Sequence, residues 1–211
     1  MIPTETEFFN ALTERHGEDL QKKITSAKVA VCGLGGLGSN IAIALARAGI
    51  GRLHIIDFDK VDVSNLNRQQ YSAEQVGMYK TVAMSENLKA INPYCRIIPE
   101  TVRLDENNIP EILGDDDIIC EAFDKPEAKA VLVNTVLEKF PEKYIVSGSG
   151  MAGLHSANTI TTRRVMKNFY LCGDGISDVA DGTGLFLSRV MVCAGHQANM
   201  ILRIIAGNLN V

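Results

Sequence analysis

Hydrophobic positions along the chain form short β-branched runs that alternate, from Lys28 onward, with longer stretches of helical periodicity. The runs predict strands at residues 28–32, 52–57, 96–99, 117–121 and 144–147. Helices are predicted between them at residues 39–48, 81–92, 107–113 and 126–140, each long enough for a right-handed crossover between parallel strands. The alternation therefore predicts an α/β fold: a doubly wound, mostly parallel sheet with helices on both faces.

The two ends of the chain have weaker patterns. Residues 1–27 are predicted to form a short N-terminal helical extension. Residues 28–211 are predicted to form the main domain. After residue 147, glycines interrupt the periodicity and predict a short strand near 157–162, mobile loops around 166–183 and a last helix near 189–206. Ser39 is a suitable N-cap for the first helix of the main domain, and Gly49 is placed to end that helix.

Composition narrows the class of protein. The chain has 211 residues, of which 46% are hydrophobic, enough for one compact domain with an ordinary core. Its 21 basic and 25 acidic residues give a net charge of −4, so a nucleic-acid partner is not expected. The charged N-terminus does not resemble a signal peptide, and polar residues interrupt the last apolar stretch. These features favour a soluble, cytoplasmic protein with no membrane partner.

Cysteines, histidines and one acidic triplet are the residue types that could form a metal site or a reactive centre. The five cysteines are Cys32, Cys95, Cys120, Cys172 and Cys193, an odd set without a C-x-x-C pair, so neither disulfides nor zinc are expected. Cys172 is predicted to lie on a loop, where the sequence leaves a reactive thiol open, and the others are interpreted as core residues. The four histidines are scattered and are interpreted as structural, and residues 115–117, all aspartates, predict a solvated turn.

A glycine-rich turn follows the first predicted strand and opens the first helix of the main domain. Its glycines, Gly33, Gly35, Gly36 and Gly38, fit G-x-G-x-x-G, a pattern that lets the backbone approach phosphate oxygens at a helix N-terminus. Asp57 ends the next predicted strand, where its carboxylate can accept hydrogen bonds from ribose hydroxyls. The motif predicts a Rossmann-like nucleotide site and by itself favours a dinucleotide; a tight turn without a ligand is the alternative.

The loop after Asp57 is longer and more polar than a dinucleotide enzyme usually needs. It carries Asp59, Asn65, Arg68 and Gln69, and Lys80 follows it. The Arg68 guanidinium can bind two phosphate oxygens at once, and the Lys80 ammonium can bind phosphate as a single charge. Both residues indicate a triphosphate that lies over the glycine turn. From residue types alone, an exposed charged loop with no ligand is an equally simple interpretation.

The combined motifs resemble the ThiF/MoeB/HesA family, adenylyltransferases related to ubiquitin-activating enzymes. The similar positions are the glycine turn with Ser39, Asp57-Phe-Asp59, Ser64-Asn-Leu-x-Arg-Gln69, Gly77, Lys80, Ala90-Ile-Asn-Pro93 and Asp124. They cover about residues 27–208. The short chain, the absent zinc pairs and residues 168–174 are most similar to the small second-family ThiF proteins of thiamine biosynthesis.

The resemblance implies that residues 28–211 form an adenylyltransferase domain that uses ATP and Mg²⁺. The expected reaction is adenylation of the C-terminal glycine carboxylate of a ThiS-like β-grasp sulfur carrier ending in Gly-Gly, with release of pyrophosphate. The positions that match the family's catalytic residues are Asn65, Arg68, Lys80 and Asp124, with Asp124 as the Mg²⁺ ligand. The positions that match its ATP-binding residues are Gly33, Gly35, Gly36, Gly38, Asp57, Asp59, Asn65, Arg68, Gln69 and Lys80.

Alternatives remain open at this point. Relatives of the family activate carriers for thiamine, molybdopterin or cysteine synthesis, and some activate a threonylcarbamoyl-adenosine carboxylate in tRNA, which the net charge disfavours. An NAD-binding oxidoreductase and a nucleotide sensor without turnover are the other candidate functions. Family members are commonly homodimers, and some lend an N-terminal arginine to the partner subunit; Arg15 could fill that role here.

Overall fold

The computed structural model describes residues 2–182 and 184–211, which form one seven-stranded sheet with helices on both faces. The strands are β1 (Lys28–Cys32), β2 (Arg52–Ile56), β3 (Arg96–Glu100), β4 (Ile118–Glu121), β5 (Tyr144–Gly148), β6 (Thr161–Met166) and β7 (Phe169–Gly173). The helices are α1 (Glu5–His16), α2 (Glu18–Ser26), α3 (Gly36–Arg47), α4 (Lys80–Ile91), α5 (Ile109–Ile112), α6 (Pro126–Lys139) and α7 (Leu187–Ala206). The strand order is β3-β2-β1-β4-β5-β7-β6, and only β6 and β7 pair antiparallel within these residues. The predicted doubly wound, mostly parallel sheet is confirmed.

Each face of the sheet has its own apolar core because successive side chains of a strand point to opposite faces. Val29 and Val31 of β1 belong to the larger core, which lies under α3, α4 and α7. Ala30 and Cys32 face the smaller core, which α5 and α6 cover. The residues of β1 after Lys28 are therefore completely buried, as is typical of a central parallel strand.

The strand order creates a crevice at the carboxyl ends of the central strands. β1 lies between β2 and β4, so the chain leaves the carboxyl ends of β1 and β4 toward opposite faces. In open α/β sheets, ligands bind at such a switch point. The glycine turn after β1 and the β4–α6 loop (residues 122–125) are the two walls of this crevice.

Two helices differ most from their predicted limits. α3 begins at Gly36 rather than at residue 39, so the prediction that Ser39 is its N-cap is wrong. Ser39 is fully buried within α3, where its hydroxyl accepts a hydrogen bond from the Gln70 N–H at 3.2 Å. The predicted end of α3 is confirmed by Gly49, whose φ of 84° is in the left-handed region. α5 has four residues (Ile109–Ile112) instead of the predicted seven.

The region after β5 is more regular than its glycines suggested. A three-residue 3₁₀ helix occupies Ala157–Thr159, so the strand predicted near residues 157–162 is displaced and begins at Thr161. β7 occupies part of the predicted loop, with Tyr170 and Cys172 fully buried. Thr183, the last residue of that predicted loop, lies outside the described residues.

The acidic triplet before β4 is only partly the solvated turn that was predicted. Asp115 is exposed, but Asp116 is completely buried. One Asp116 carboxylate oxygen lies 2.7 Å from Nδ1 of His54, and the other lies 3.3 Å from a guanidinium nitrogen of Arg52. A buried carboxylate needs such partners, and both come from β2, a relation that the local sequence does not reveal.

Two helices form within the predicted N-terminal extension. Thr4 and Glu7 form a capping box at the start of α1, and α2 packs against α7. The division into an extension and a main domain stays a prediction. Across residues 2–182 and 184–211, every helix is too short or too polar to span a membrane.

Candidate functional site: the glycine turn and the surrounding charged loop

Two glycines are required by the packing of the turn itself. Gly33 has a φ of 93°, and a Cβ built on it would lie 2.9 Å from both the Ala122 carbonyl oxygen and the Phe123 ring. A Cβ on Gly38 would lie 1.8 Å from the carbonyl oxygen of Gly33. These glycines therefore let α3 approach the end of β1 closely and let the turn lie against the β4–α6 loop.

The other two glycines border the crevice. A Cβ on Gly36 would lie 3.5 Å from Cγ of Arg68, so the arginine stem lies beside the start of α3. At Gly35, the only described atom beyond the neighbouring residues of the chain within 4 Å of such a Cβ is Nε2 of Gln69, at 3.9 Å. Gln69 is buried, and among the described residues its Oε1 has no hydrogen-bond partner. The bare backbone at Gly35 and this unpaired acceptor are suited to a polar ligand.

Asp57 fixes the turn from the side of β2. One of its carboxylate oxygens accepts the Leu34 N–H at 2.7 Å, and the other accepts the Asp59 N–H at 2.8 Å. The Leu34 carbonyl oxygen in turn accepts a hydrogen bond from the Tyr71 hydroxyl at 2.8 Å. Burial raises the pKa of Asp57 above its usual value, although Lys80 and these N–H groups oppose that shift. Each Asp57 oxygen keeps a lone pair for a further donor, such as a ribose hydroxyl.

Lys80 brings a buried positive charge to the same place. It is the first residue of α4 and is 6% exposed. Its ammonium lies 3.1 Å from an Asp59 carboxylate oxygen and 3.8 Å from Asp57. The structure therefore places these three predicted site residues together.

Arg68 and Asn65 lie on the loop between β2 and α4. The Arg68 guanidinium donates hydrogen bonds to the Ser64 carbonyl oxygen at 2.9 Å and to the Asn67 side chain at 2.8 Å. The Asn65 side-chain oxygen accepts the Asp62 N–H at 3.1 Å. Both predicted residues therefore shape the loop, and the half-buried Arg68 lies beside the glycine turn.

Asp124 lies on the opposite wall of the crevice, in the β4–α6 loop. It is exposed, and no hydrogen bond or ion pair to it is found within the part of the chain that the structure describes. In those residues, no group of three or more His, Cys, Asp or Glu side chains could hold a metal ion. A single carboxylate is nevertheless a usual protein contribution to Mg²⁺ that is bound with phosphates and waters.

Cys172 does not lie on a loop, so that prediction is wrong. It is part of β7 and is fully buried, and burial raises the pKa of its thiol to about 11. Burial also raises the pKa of the neighbouring Cys193 thiol, to about 12. Reactive thiols are accessible and have a lowered pKa, so both cysteines have the properties of core residues.

Arg15 belongs to α1, a helix that contacts the end of α3 opposite the glycine turn. Leu12, in the same helix α1, reaches within 2.5 Å of a Cβ position built on Gly49, just beyond the end of α3. The glycine turn is at the other end of α3, about 18 Å away for a helix of this length. The role of Arg15 in the site of a partner subunit stays a prediction.

A buried ion pair that the sequence analysis missed fixes the loops after β5 and β7. Arg189 of α7 donates to an Asp174 carboxylate oxygen at 2.5 Å and to the carbonyl oxygens of His155 and Ser156. The other Asp174 oxygen accepts the backbone N–H groups of residues 176 and 177. Burial alone would raise the pKa of Asp174, but these hydrogen bonds outweigh it and lower the pKa to about 2.

The lowered pKa predicts acid-sensitive stability. The stabilisation from ionised Asp174 is complete above the unfolded-state pKa of about 4 and is lost as the pH falls toward 2. Asp174→Asn should lower the free energy of unfolding at pH 7 by about 2 kcal/mol and flatten its decline between pH 4 and 2. Denaturant unfolding at several pH values measures both effects, with the exposed Asp19→Asn as control. An unchanged acid profile in Asp174→Asn would show that this carboxylate does not carry the effect.

Comparison with known proteins places these features in a family. The profile of the ThiF family matches residues 10–211. The chain is 39% identical over 139 residues to adenylyltransferase and sulfurtransferase UBA4 of Eremothecium gossypii, covering 65% of the chain and 31% of that relative. It is 35% identical over 136 residues to a sulfur carrier protein adenylyltransferase of Thermus thermophilus, covering 64% and 45%. The chain thus matches less than half the length of these relatives.

Among solved structures, the E. coli tRNA N6-threonylcarbamoyladenosine dehydratase TcdA, crystallised with ATP, has the same fold. The TM-score is 0.88 with 22% sequence identity, and the match covers 98% of each chain. The ThiF profile covers nearly the whole sequence and includes both walls of the crevice. The chain therefore belongs to the ThiF family.

Proposed function

We propose that this chain is an adenylyltransferase that uses ATP and Mg²⁺ to activate the C-terminal glycine carboxylate of a ThiS-like sulfur carrier protein. The products are the carrier acyl-adenylate and pyrophosphate, and the pathway is the supply of sulfur to the thiamine thiazole. The observation that carries the proposal is the grouping of Arg68, Lys80, Asp57 and Asp59 around the glycine turn of a ThiF-family chain.

The charges and donors around the turn suit this reaction. A carboxylate oxygen of the carrier attacks the α-phosphorus of ATP, and the bond from that phosphorus to the pyrophosphate oxygen breaks. Negative charge develops on the phosphate oxygens, where Arg68, Lys80 and the N-terminus of α3 can stabilise it. Asn65 and Gln69 supply polar groups beside the phosphates, and Asp57 and Asp59 accept hydrogen bonds from the ribose. A magnesium ion held by Asp124 would neutralise part of the phosphate charge.

A homodimer is part of the proposal. Arg15 belongs to α1, which contacts the end of α3 away from the glycine turn, and we propose that it contributes to the site of a partner subunit. The Thermus relative is named for a sulfur carrier protein, which supports a carrier as substrate. A molybdopterin carrier is the closest variant of this proposal, because the same carboxylate chemistry applies.

A carboxylate in tRNA is the second candidate substrate. It is favoured by the match to TcdA, which covers 98% of both chains, whereas the carrier-activating relatives are longer than this chain. The net charge of −4 argues against it, because binding of nucleic-acid phosphates needs clustered lysines and arginines. An oxidoreductase is disfavoured because Arg68, Lys80 and Asp124 would have no role in dinucleotide chemistry.

Pyrophosphate exchange into ATP distinguishes these functions. The assay contains Mg²⁺ and a purified ThiS-like carrier ending in Gly-Gly, with a carrier that lacks the last glycine as control. We expect exchange only with the intact tail. Exchange that requires threonylcarbamoyl-modified tRNA would support the second candidate, and tight NAD binding without exchange would exclude adenylation.

Arg68→Ala tests the assignment of charge stabilisation. Because Arg68 acts on charge that develops in the transition state, we expect kcat to fall by about 30-fold, or about 2 kcal/mol, with little change in KM for ATP. Steady-state rates at varied ATP give both constants. A rise in KM with unchanged kcat would instead assign Arg68 to uniform ATP binding.

A further inference from the structure

An ion pair between a fully buried carboxylate and a partly exposed lysine lies against the loop that carries Asp124. Glu121, the last residue of β4, is fully buried, and its two carboxylate oxygens lie 3.0 and 2.8 Å from Nζ of Lys129 on α6. The Ser147 hydroxyl on β5 donates to the same carboxylate. Nζ of Lys129 also donates to the Gly148 carbonyl oxygen at 2.8 Å. One ammonium group thus connects the carboxyl ends of β4 and β5 to α6.

The same carboxylate also holds the backbone of the β4–α6 loop. Oε1 of Glu121 accepts the Phe123 N–H at 2.7 Å, one residue before Asp124. The Phe123 ring lies 2.9 Å from a Cβ position built on Gly33, so this loop contacts the glycine turn. Because only four residues separate β4 from α6, a fixed Phe123 amide leaves the backbone at Asp124 little freedom.

We propose that Lys129 is a positioning residue that holds the Asp124 loop in one conformation through Glu121. Its ammonium supplies the countercharge that a buried carboxylate requires, and the paired carboxylate can then accept the Phe123 N–H. Without this charge, the buried Glu121 carboxylate has no cation to pair with, and its bond to the loop weakens. The consequence for Mg²⁺ rests on the proposed function of Asp124; the effect on the loop does not.

Amide hydrogen exchange of Phe123, measured by NMR, tests the effect on the loop. Lys129→Met should accelerate this exchange by about tenfold or more, and Lys129→Arg, which keeps the charge, should restore much of the protection. Lys143→Met is the control, because the Lys143 ammonium also donates to backbone carbonyl oxygens, those of Leu113 and Gly114 at 2.7 Å, next to the starts of β4 and β5. Equal acceleration at Phe123 in both methionine variants would overturn the proposal.

Glu121→Gln provides a second route if Lys129→Met does not fold. This substitution keeps the size of the side chain but removes the negative charge, so the Phe123 N–H loses a charge-assisted acceptor. We expect the Phe123 amide to exchange about tenfold faster in this variant as well. Unchanged protection in Glu121→Gln would contradict the role of the ion pair.

Binding of a fluorescent ATP analogue at varied Mg²⁺ concentration tests the consequence for the site. Lys129→Met should raise the Mg²⁺ concentration at half-saturation by about tenfold and leave metal-free binding within about twofold. Lys143→Met should change neither quantity. Equal weakening with and without Mg²⁺ would overturn the positioning role. If the wild-type chain binds no ATP, the proposed function fails, whereas the amide-exchange result still decides the role of Lys129 in the loop.

Discussion

Asp124→Ala is expected to reduce Mg²⁺-dependent pyrophosphate exchange by about two orders of magnitude or more and to leave the fold intact. The Asp124 side chain is exposed and has no partner in the described part of the chain, so its removal costs no packing. Its proposed contribution is to hold the metal against the phosphates. Exchange rates at saturating carrier, together with thermal unfolding, measure the two effects separately.

Glu127→Ala is the matched control for Asp124→Ala. Glu127 is also exposed and lies three residues further on, in the first turn of α6, so its removal changes the net charge equally. We expect exchange within about twofold of the wild-type rate, because an exposed carboxylate that is not a metal ligand interacts only weakly through solvent. If Asp124→Ala retained the wild-type rate, the assignment of Asp124 to magnesium would be wrong.

The second large effect is expected from Gly38→Ala, which acts on the fold as well as on the site. The new Cβ would lie 1.8 Å from the Gly33 carbonyl oxygen, a backbone atom, so either α3 or the glycine turn must move. We expect a loss of about 3 kcal/mol or more in unfolding free energy and a fall in melting temperature of roughly 10 °C. ATP affinity should also fall, because the displaced turn no longer presents its N–H groups.

Gly195→Ala controls for the intrinsic effect of replacing glycine by alanine in a helix. Gly195 lies within α7, and beyond its chain neighbours and the nearby backbone of α7 no described atom is within 4 Å of a Cβ built on it. This substitution should stabilise the protein by about 0.5–1 kcal/mol. A similar small gain in Gly38→Ala would show that the close approach of α3 to the turn does not require glycine.

The sequence predicts both the central sheet and the grouping of site residues at the carboxyl ends of its strands. β1 reads as a continuous apolar run, and parallel strands with short connections place their following loops at the same edge. The glycine turn and Asp57 come directly after two neighbouring strands, and Lys80 follows the second loop. Their proximity therefore follows from the topology alone.

Contacts between distant positions could not be predicted in the same way. The sequence around Asp116 predicts a solvated side chain because His54, its buried partner, lies 62 positions earlier. The sequence of β7 predicts a loop because the strand is short and ends at a glycine, whereas its burial depends on packing against α7. The sequence around Lys129 likewise predicts a solvated helical residue, because it does not show that Lys129 contacts the Glu121 carboxylate.

The two hydrogen bonds that hold the backbone of Leu34 affect the entropy of ligand binding. Its N–H is bound by Asp57 and its carbonyl oxygen by Tyr71, so the glycine turn is already ordered by the protein's own bonds. A ligand that meets a preorganised site loses less of its binding free energy to the ordering of the chain. Free and bound backbones of the turn should therefore superpose closely. The entropy lost on nucleotide association should come mainly from the nucleotide and the exposed side chains.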